Sequence, residues 1–377
     1  MVIYFIVISL IIFGEFVSDK YSKIYFMSVI LLSILFFCFG YMTGSDWRQY
    51  EPMYNNIVSD VNFIEIFIEP GFYYYMLLCK ISGVGFWPFL IITKIIILLV
   101  FIFFVKRFNI DNLYIGLSYF LVSFGLFYFI DNPLRNLIAA AIFLFSLKYV
   151  LERKFWKFSF LVIIASTFHL SALITLPFYF IFNLNLRKSF WIIAYFLVIL
   201  FSIVFREKII DWIINLFSNN VFIGGKIDYY FKNKNYLDAR FLTIGSIAKL
   251  IFFFLILISK KFIYNSSQYG RILFNGSMIF LIINRLASSI EILSRFQLFS
   301  AVLFCITVVL IIKNFEPLSR KIYVTFLVII IYLTVYKEIT TTYKYVPYTN
   351  YLLYLDKNIP FYERANYNFV NSPYSEE

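Results

Sequence analysis

The chain has 377 residues, of which 62% are hydrophobic and 14% charged, with a mean hydropathy of +0.83 and a formal net charge of +12. Soluble domains carry roughly a quarter charged residues, so this balance excludes an ordinary soluble fold and points to lipid. No basic block runs longer than a few residues, so the positive charge is that of membrane loops and not of a nucleic-acid surface.

The first apolar run, 2–17, lacks a basic start and a small-residue cleavage site. It is expected to remain as a helix and not to be removed as a signal peptide. Further apolar runs follow near 24–41, 86–105, 112–130, 136–150, 189–205, 242–259, 272–284, 296–312 and 322–336. A spanning helix needs about 20 mostly apolar residues, because lipid cannot hydrogen-bond a bare backbone. The pattern predicts an all-α, polytopic transmembrane helical bundle of about 10–12 spans. The stretch REKIIDWIINLF within 206–241 predicts an external interfacial helix, and 337–377 reads as a short, polar, Tyr-rich tail on the surface. No repeat or Pro/Gly-rich linker divides the chain, so 1–336 reads as one membrane domain. Cys38, Cys79 and Cys305 each stand alone among apolar residues, and the chain has one His. A disulfide framework, a metal centre and a metal cofactor are therefore not expected.

Basic pairs at Lys106–Arg107, Arg153–Lys154, Arg187–Lys188, Lys260–Lys261 and Arg320–Lys321 mark the cytoplasmic loops. The N-terminus, 42–85, 131–135, 206–241, 285–295 and the tail then lie outside. This requires 156–184 to form a hairpin with its apex near His169, and 64–82 to lie in the interface or re-enter without crossing.

On that topology the unusual polar residues gather on one side. The first external segment, GSDWRQYEPMY, holds Asp46, Trp47, Arg48, Tyr50 and Tyr54, and Glu69 follows in IEPGFYYY. The junction DNPLRN places Arg135 at the start of a helix, His169 lies in STFHLSALITLP, Arg240 precedes an apolar run, and Arg285, Glu291 and Arg295 flank an outer turn. Lys94 and Lys249 sit within apolar runs. Ionisable groups at depth are costly and mark a functional cavity by default. Each also has a plainer explanation. Asp46 is also readable as a loop cap, Arg135 as a snorkelling anchor, and His169 as a packed, hydrogen-bonded histidine. Lys94 and Lys249 would then pair with backbone carbonyls or with Glu69, and Arg285 and Arg295 would be interfacial charges. Trp87, Trp156, Trp191 and Trp212 are explained as membrane-belt anchors.

Three stretches carry a family likeness. They are Gly44-x-Asp46-Trp47-x-x-Tyr50 with Glu69–Phe72 downstream, the arginine helix DNPLRNLIAAAIFLFSLKYVLERKFWKF, and IASTFHLSALITLPFYF. With these the chain resembles the EpsG family of bacterial membrane proteins, within the class of Wzy-like polysaccharide repeat-unit polymerases. The likeness covers roughly residues 35–185 well and the C-terminal half loosely. Two positions depart from it: the family's usual Arg-Gln is Arg135-Asn136 here, and the place before the Gly-Asp element lacks the usual Arg.

The resemblance implies a membrane glycosyltransferase working on the outer face of the bacterial cytoplasmic membrane. Its substrate would be an oligosaccharide repeat unit on a polyprenyl diphosphate, destined for exopolysaccharide, capsule or O-antigen. The departing diphosphate carries its own activation, so no nucleotide or redox cofactor is implied. A diphosphate needs cations, and the planar fork of Arg suits phosphate oxygens. Arg135, Arg240, Arg285 and Arg295, with Lys94 or Lys249, are the candidates. Asp46 is the first choice for general base, followed by Glu69 and His169. Trp47, Arg48, Tyr50 and Tyr54 would contact sugar. A flippase and a chain-length regulator are the implied partners, besides membrane lipid. The rival readings are a lipid-linked oligosaccharide flippase or transporter, a glycan ligase, and a membrane acyltransferase.

Overall fold

A computed structural model of the chain describes residues 1–58, 68–108, 110–131, 133–204, 243–288 and 293–374. Arg240, Glu291, Trp212 and the expected interfacial helix of 206–241 lie outside the described residues.

The helices are, in order, α1 (Val2–Phe13), α2 (Asp19–Ser33), α3 (Trp47–Asn55), α4 (Pro70–Ile81), α5 (Phe86–Phe108), α6 (Leu113–Phe120), α7 (Leu134–Leu151) and α8 (Phe155–Phe168). They continue with α9 (Phe178–Asn183), α10 (Lys188–Val204), α11 (Ile244–Ile258), α12 (Lys260–Ser266), α13 (Gly270–Ala287), α14 (Ser294–Leu310), α15 (Pro317–Thr341) and α16 (Phe361–Asn371). π-helical turns prolong α2 through Ile34–Cys38 and α6 through Leu121–Asp131. No strand forms among the described residues, and the protein is an all-α polytopic membrane bundle.

Six described stretches are long and apolar enough to cross a membrane: 19–38, 86–108, 113–131, 134–151, 294–314 and 317–341. Stretches 2–16, 155–168, 170–183, 188–201 and 244–258 are apolar but only 10–17 residues long. Helix α4, in the segment expected not to cross, has 12 residues. At 1.5 Å per residue that is about 18 Å, well short of the roughly 30 Å of hydrocarbon. Helix α15 begins at Pro317, where a fixed φ and a missing N–H cost nothing, and runs to Thr341, beyond the apolar stretch read as its limit.

The expected single domain is built as two compact units that alternate along the sequence. One comprises 1–59, 73–141 and 315–377, the other 60–72 and 142–314. No composition change marks the divisions, which fall inside α4 and α7, because both units are made of the same apolar helices.

In the first unit α1 packs on α6, where the Tyr114 ring covers Gly14 so closely that a Cβ there would lie 2.5 Å from it. Phe101 of α5 stacks between Phe120 and Tyr128 of the α6 segment at 5.1 and 5.8 Å. Helix α15 joins through Tyr332, which stacks on Phe5 and hydrogen-bonds Ser9 at 2.7 Å.

In the second unit α8 and α9 form the expected hairpin. The Phe155 ring lies 5.1 and 5.4 Å from those of Tyr179 and Phe180, so the chain has folded back on itself around His169. A second hairpin, α13 with α14, is held by Phe280 stacked on Phe304 at 4.3 Å and by Ser277 donating to Thr307 at 2.8 Å. Asn275 of α13 donates to the carbonyls of Ile181 and Leu184 at 2.8 and 2.9 Å, tying the two hairpins together.

Candidate functional site

The Gly-Asp-Trp segment of the first unit is fixed by backbone geometry. Gly44 has φ +80°, and a Cβ there would lie 1.9 Å from the Ile130 carbonyl oxygen, so only glycine allows this approach. The close approach brings Ser45 onto Asp131, whose Oδ1 accepts from the Ser45 N–H at 2.7 Å and from its hydroxyl at 2.6 Å. Asp46 N–H donates to the Asp131 carbonyl at 3.1 Å, and Asp46 then begins α3 as its N-terminal cap residue.

Along α3 the buried residues are Trp47, Tyr50, Glu51 and Tyr54, which form one face of a helix. Tyr50 carries the central relationship of the site. Its hydroxyl donates to Asp46 Oδ2 at 3.4 Å and accepts from Arg135 Nε at 3.4 Å, with the guanidinium carbon 6.0 Å from its ring centre. Arg135 is the second residue of α7, as the sequence predicts. One hydroxyl thus connects the carboxylate read as general base with the guanidinium read as diphosphate ligand.

Two predicted sugar contacts are placed differently. Trp47 is fully buried, 5.3 Å from Trp87 and 6.0 Å from Phe361 in ring-centre distance. The Tyr54 ring stacks on Phe89 at 4.9 Å while its hydroxyl donates to the Val84 carbonyl at 2.6 Å. Both rings are committed to packing, and the faces a sugar would stack on are covered. Burial pushes the Tyr54 phenol up to about 12 and raises that of Tyr41, so both stay neutral at physiological pH and neither serves as a base. Trp87 and Trp191 are buried as well, not arranged as belt anchors, whereas Trp156 is exposed.

Lys94 is wholly buried in α5, and its ammonium donates to the Phe129 carbonyl at 3.1 Å. Of its two expected partners, the carbonyl is the one found. That carbonyl belongs to the π-helical segment leading to Asp131, so the lysine braces the strand of chain that presents this carboxylate.

The tail is not a surface appendage. Tyr4 donates to the Tyr345 carbonyl at 2.6 Å, Gly44 N–H to the Lys344 carbonyl at 2.9 Å, and Tyr351 N–H to the Phe39 carbonyl at 2.8 Å. Lys344 reaches Asp131 Oδ2 at 3.4 Å. Arg364 of α16 pairs with Glu51 of α3 at 2.7 Å. The sequence reading missed Asp131, Lys344, Glu51 and Arg364 as members of this cluster. Glu51 had one available signal, its place four residues after Trp47 on the buried face.

In the second unit Glu69 and His169 come together. His169 interrupts the helical chain in an extended conformation, φ −154° and ψ 117°, between α8 and a 3-10 turn at Leu170–Thr175. Its Nδ1 lies 3.3 Å from Glu69 Oε1, which also accepts from the Leu170 N–H at 3.4 Å. The Glu-Pro-Gly spacing explains the placement. Pro70 starts α4, and Gly71 lets the helix press against Thr167, whose Oγ1 would lie 2.3 Å from a Cβ. An ionised Glu69 would hold the proton on Nδ1 and orient the ring. Lys249 is half-buried in α11, and Arg285 and Arg295 are half-buried at the facing ends of α13 and α14. Asn284 and Gln297 hydrogen-bond at 2.6 Å between these last two helices.

Among the described residues no group of three or more His, Cys, Asp or Glu is arranged to hold a metal ion. No curated protein and no solved structure matches the chain. The family model that does match spans residues 23–352, from α2 to beyond Lys344, and takes in Asp46, Tyr50, Glu69, Arg135 and His169. The chain belongs to the EpsG family, the family of Wzy-like polysaccharide polymerases.

Proposed function

We propose that the protein joins oligosaccharide repeat units carried on a polyprenyl diphosphate, moving the growing glycan onto a new lipid-linked unit. EpsG membership supports a polysaccharide-polymerase role in general terms, and the crossing helices support a multi-pass membrane protein. The observation that carries the finer reading is the convergence of Asp46 and Arg135 on the Tyr50 hydroxyl.

The chemistry follows from those two groups. A hydroxyl oxygen of the acceptor sugar attacks the anomeric carbon of the donor's first sugar, and the bond from that carbon to the phosphate oxygen breaks. The electron pair leaves with the diphosphate, where the Arg135 fork takes up the developing charge as an oxyanion hole would. The acceptor's proton goes to Asp46, and Tyr50 holds the carboxylate and the guanidinium in register. The diphosphate is its own leaving group, so the step is complete without a nucleotide or redox partner. The basic loop pairs favour an outward-facing site, and membership of the EpsG family favours the bacterial cytoplasmic membrane. A flippase would supply the units, and a chain-length regulator would act on the product.

The test is reconstitution of the full chain in liposomes with the lipid-linked repeat units of its own host. A ladder of glycans formed without nucleotide sugar, and lost in Asp46→Ala and Arg135→Ala, supports the proposal. Movement of lipid-linked units between leaflets with no ladder would make the protein a flippase.

A further inference from the structure

The elements that meet at Tyr50 and Arg135 each carry a polar side chain with buried atoms that bond nothing among the described residues. Asn136, next to Arg135 on α7, is 3% exposed, and neither its Oδ1 nor its Nδ2 has a hydrogen-bond partner among the described residues. Arg48, between Asp46 and Tyr50 on α3, has Nε and Nη2 buried and likewise unpartnered among the described residues. Buried polar groups are satisfied in the large majority of cases, and a bare buried charge is the costliest exception. With the Trp47 indole N–H, also buried and unpartnered among the described residues, three such exceptions fall on the two helices joined by one hydroxyl, and Arg48 and Asn136 are the two whose chemistry calls for a polar ligand.

The chemistry of the orphans describes that ligand. A guanidinium with two buried nitrogens lacking acceptors calls for an anion, and its fork suits phosphate oxygens better than a sugar hydroxyl. A primary amide lacking both a donor and an acceptor calls for a group that offers both, as a sugar hydroxyl or acetamido group does. A glycosylated diphosphate carries both kinds of group.

Resting on the polymerase reading above, we propose that Arg48 binds a phosphate of the lipid carrier and that Asn136 hydrogen-bonds the first sugar attached to it. Asn136 is then a specificity-determining residue at the reducing-end sugar. Arg48 moves from the sugar contacts, where its neighbours suggested placing it, to the phosphate contacts beside Arg135.

The energetics supply a readout that a structural role would not give. An orphaned amide destabilises the free protein, so an apolar side chain of similar size should be neutral or stabilising. The experiment uses the full chain in nanodiscs and two probes, undecaprenyl diphosphate and undecaprenyl diphosphate bearing N-acetylglucosamine. Affinity and melting temperature are measured for wild type, Asn136→Leu, Asn136→Ala and Arg48→Met. Asn136→Leu is expected to melt at or above wild type and bind the bare diphosphate normally. Its binding of the glycosylated probe should weaken about tenfold, the worth of roughly one hydrogen-bonded group. Arg48→Met should weaken both probes by about tenfold or more, as expected for a charge-assisted contact. Asn136→Ala separates loss of the amide from added bulk. Variants that bind both probes as wild type does, or that melt well below it with binding intact, would overturn this assignment alone. A wild-type protein that binds neither probe would overturn it together with the polymerase reading.

Discussion

Arg364 donates to both carboxylate oxygens of Glu51, at 2.7 and 2.9 Å, across a separation of 313 residues. The pair is buried, and the guanidinium carbon lies 5.7 Å from the Trp47 ring centre and 6.0 Å from that of Trp87. Removing one partner leaves the other charge buried and bare. Arg364→Ala is therefore expected to cost about 3–5 kcal/mol, and Glu51→Leu with Arg364→Leu should recover much of it. Thermal melts in detergent make the comparison; single and double variants that melt alike would mean that burial of a lone charge is not the cause.

Gly44 should tolerate no side chain. Its φ of +80° and the 1.9 Å approach to the Ile130 carbonyl both act against Gly44→Ala. The backbone conformation alone costs on the order of 1–3 kcal/mol, and the steric overlap adds to that. Low yield of folded protein by size-exclusion chromatography is expected, and a wild-type melt from Gly44→Ala would contradict the local geometry.

If Asp46 is the base, Asp46→Asn should slow polymer formation by roughly 10²–10⁴-fold with the melting temperature kept. Tyr50→Phe removes only the hydroxyl that links Asp46 to Arg135, and about a tenfold loss is expected, the scale of one hydrogen bond. Initial rates of glycan ladder formation measure both. A Tyr50→Phe variant as slow as Asp46→Asn would move the phenol from positioning to chemistry.

The Glu69–His169 pair offers the other base. His169→Gln keeps a hydrogen-bonding group for Glu69 but cannot accept a proton at neutral pH. With Asp46 as base, it should retain ladder formation within about tenfold of wild type, since only a positioning hydrogen bond is altered. The decisive comparison is made in one preparation: an inactive His169→Gln beside an active Asp46→Asn would transfer the role to the imidazole.

Lys94 is a buried ammonium held by one carbonyl at 3.1 Å. Lys94→Met fills the same space without the charge, and taking the ammonium away removes its desolvation penalty at the loss of one hydrogen bond. The melting temperature is expected to hold or rise. A drop corresponding to more than about 2 kcal/mol would show that bracing Phe129 outweighs desolvating the ammonium.

Much of the architecture was legible in the sequence because crossing a membrane is a local demand. A run of apolar residues satisfies or fails it without reference to the rest of the chain, which is why the crossing stretches at 19–38, 86–108, 113–131, 134–151, 294–314 and 317–341 follow the hydropathy pattern. The start of α7 just before Arg135 and the hairpin around His169 were readable for the same reason, from Pro133 and from polar residues interrupting apolar runs. The site itself was only partly legible. Asp46, Arg135, Glu69 and His169 stand out as isolated ionisable groups, yet nothing local says that Tyr50 joins the first two or that the last two pair. The sequence also suggested open aromatic faces at Trp47 and Tyr54, because a nine-residue helix in a loop-like stretch gives little warning of its buried face.

What the sequence determined by itself is the class of protein, its helices and the identity of the scarce charges. Tertiary structure alone decided which charges meet: Asp131 with Ser45 and Lys344, Glu51 with Arg364, and the tail with the Gly44 segment. Membrane helices are apolar on every side, so periodicity does not reveal which face packs inward. Partners separated by as many as 313 residues are chosen by the cost of leaving a buried polar group alone. That cost takes effect only when the chain has closed around the group.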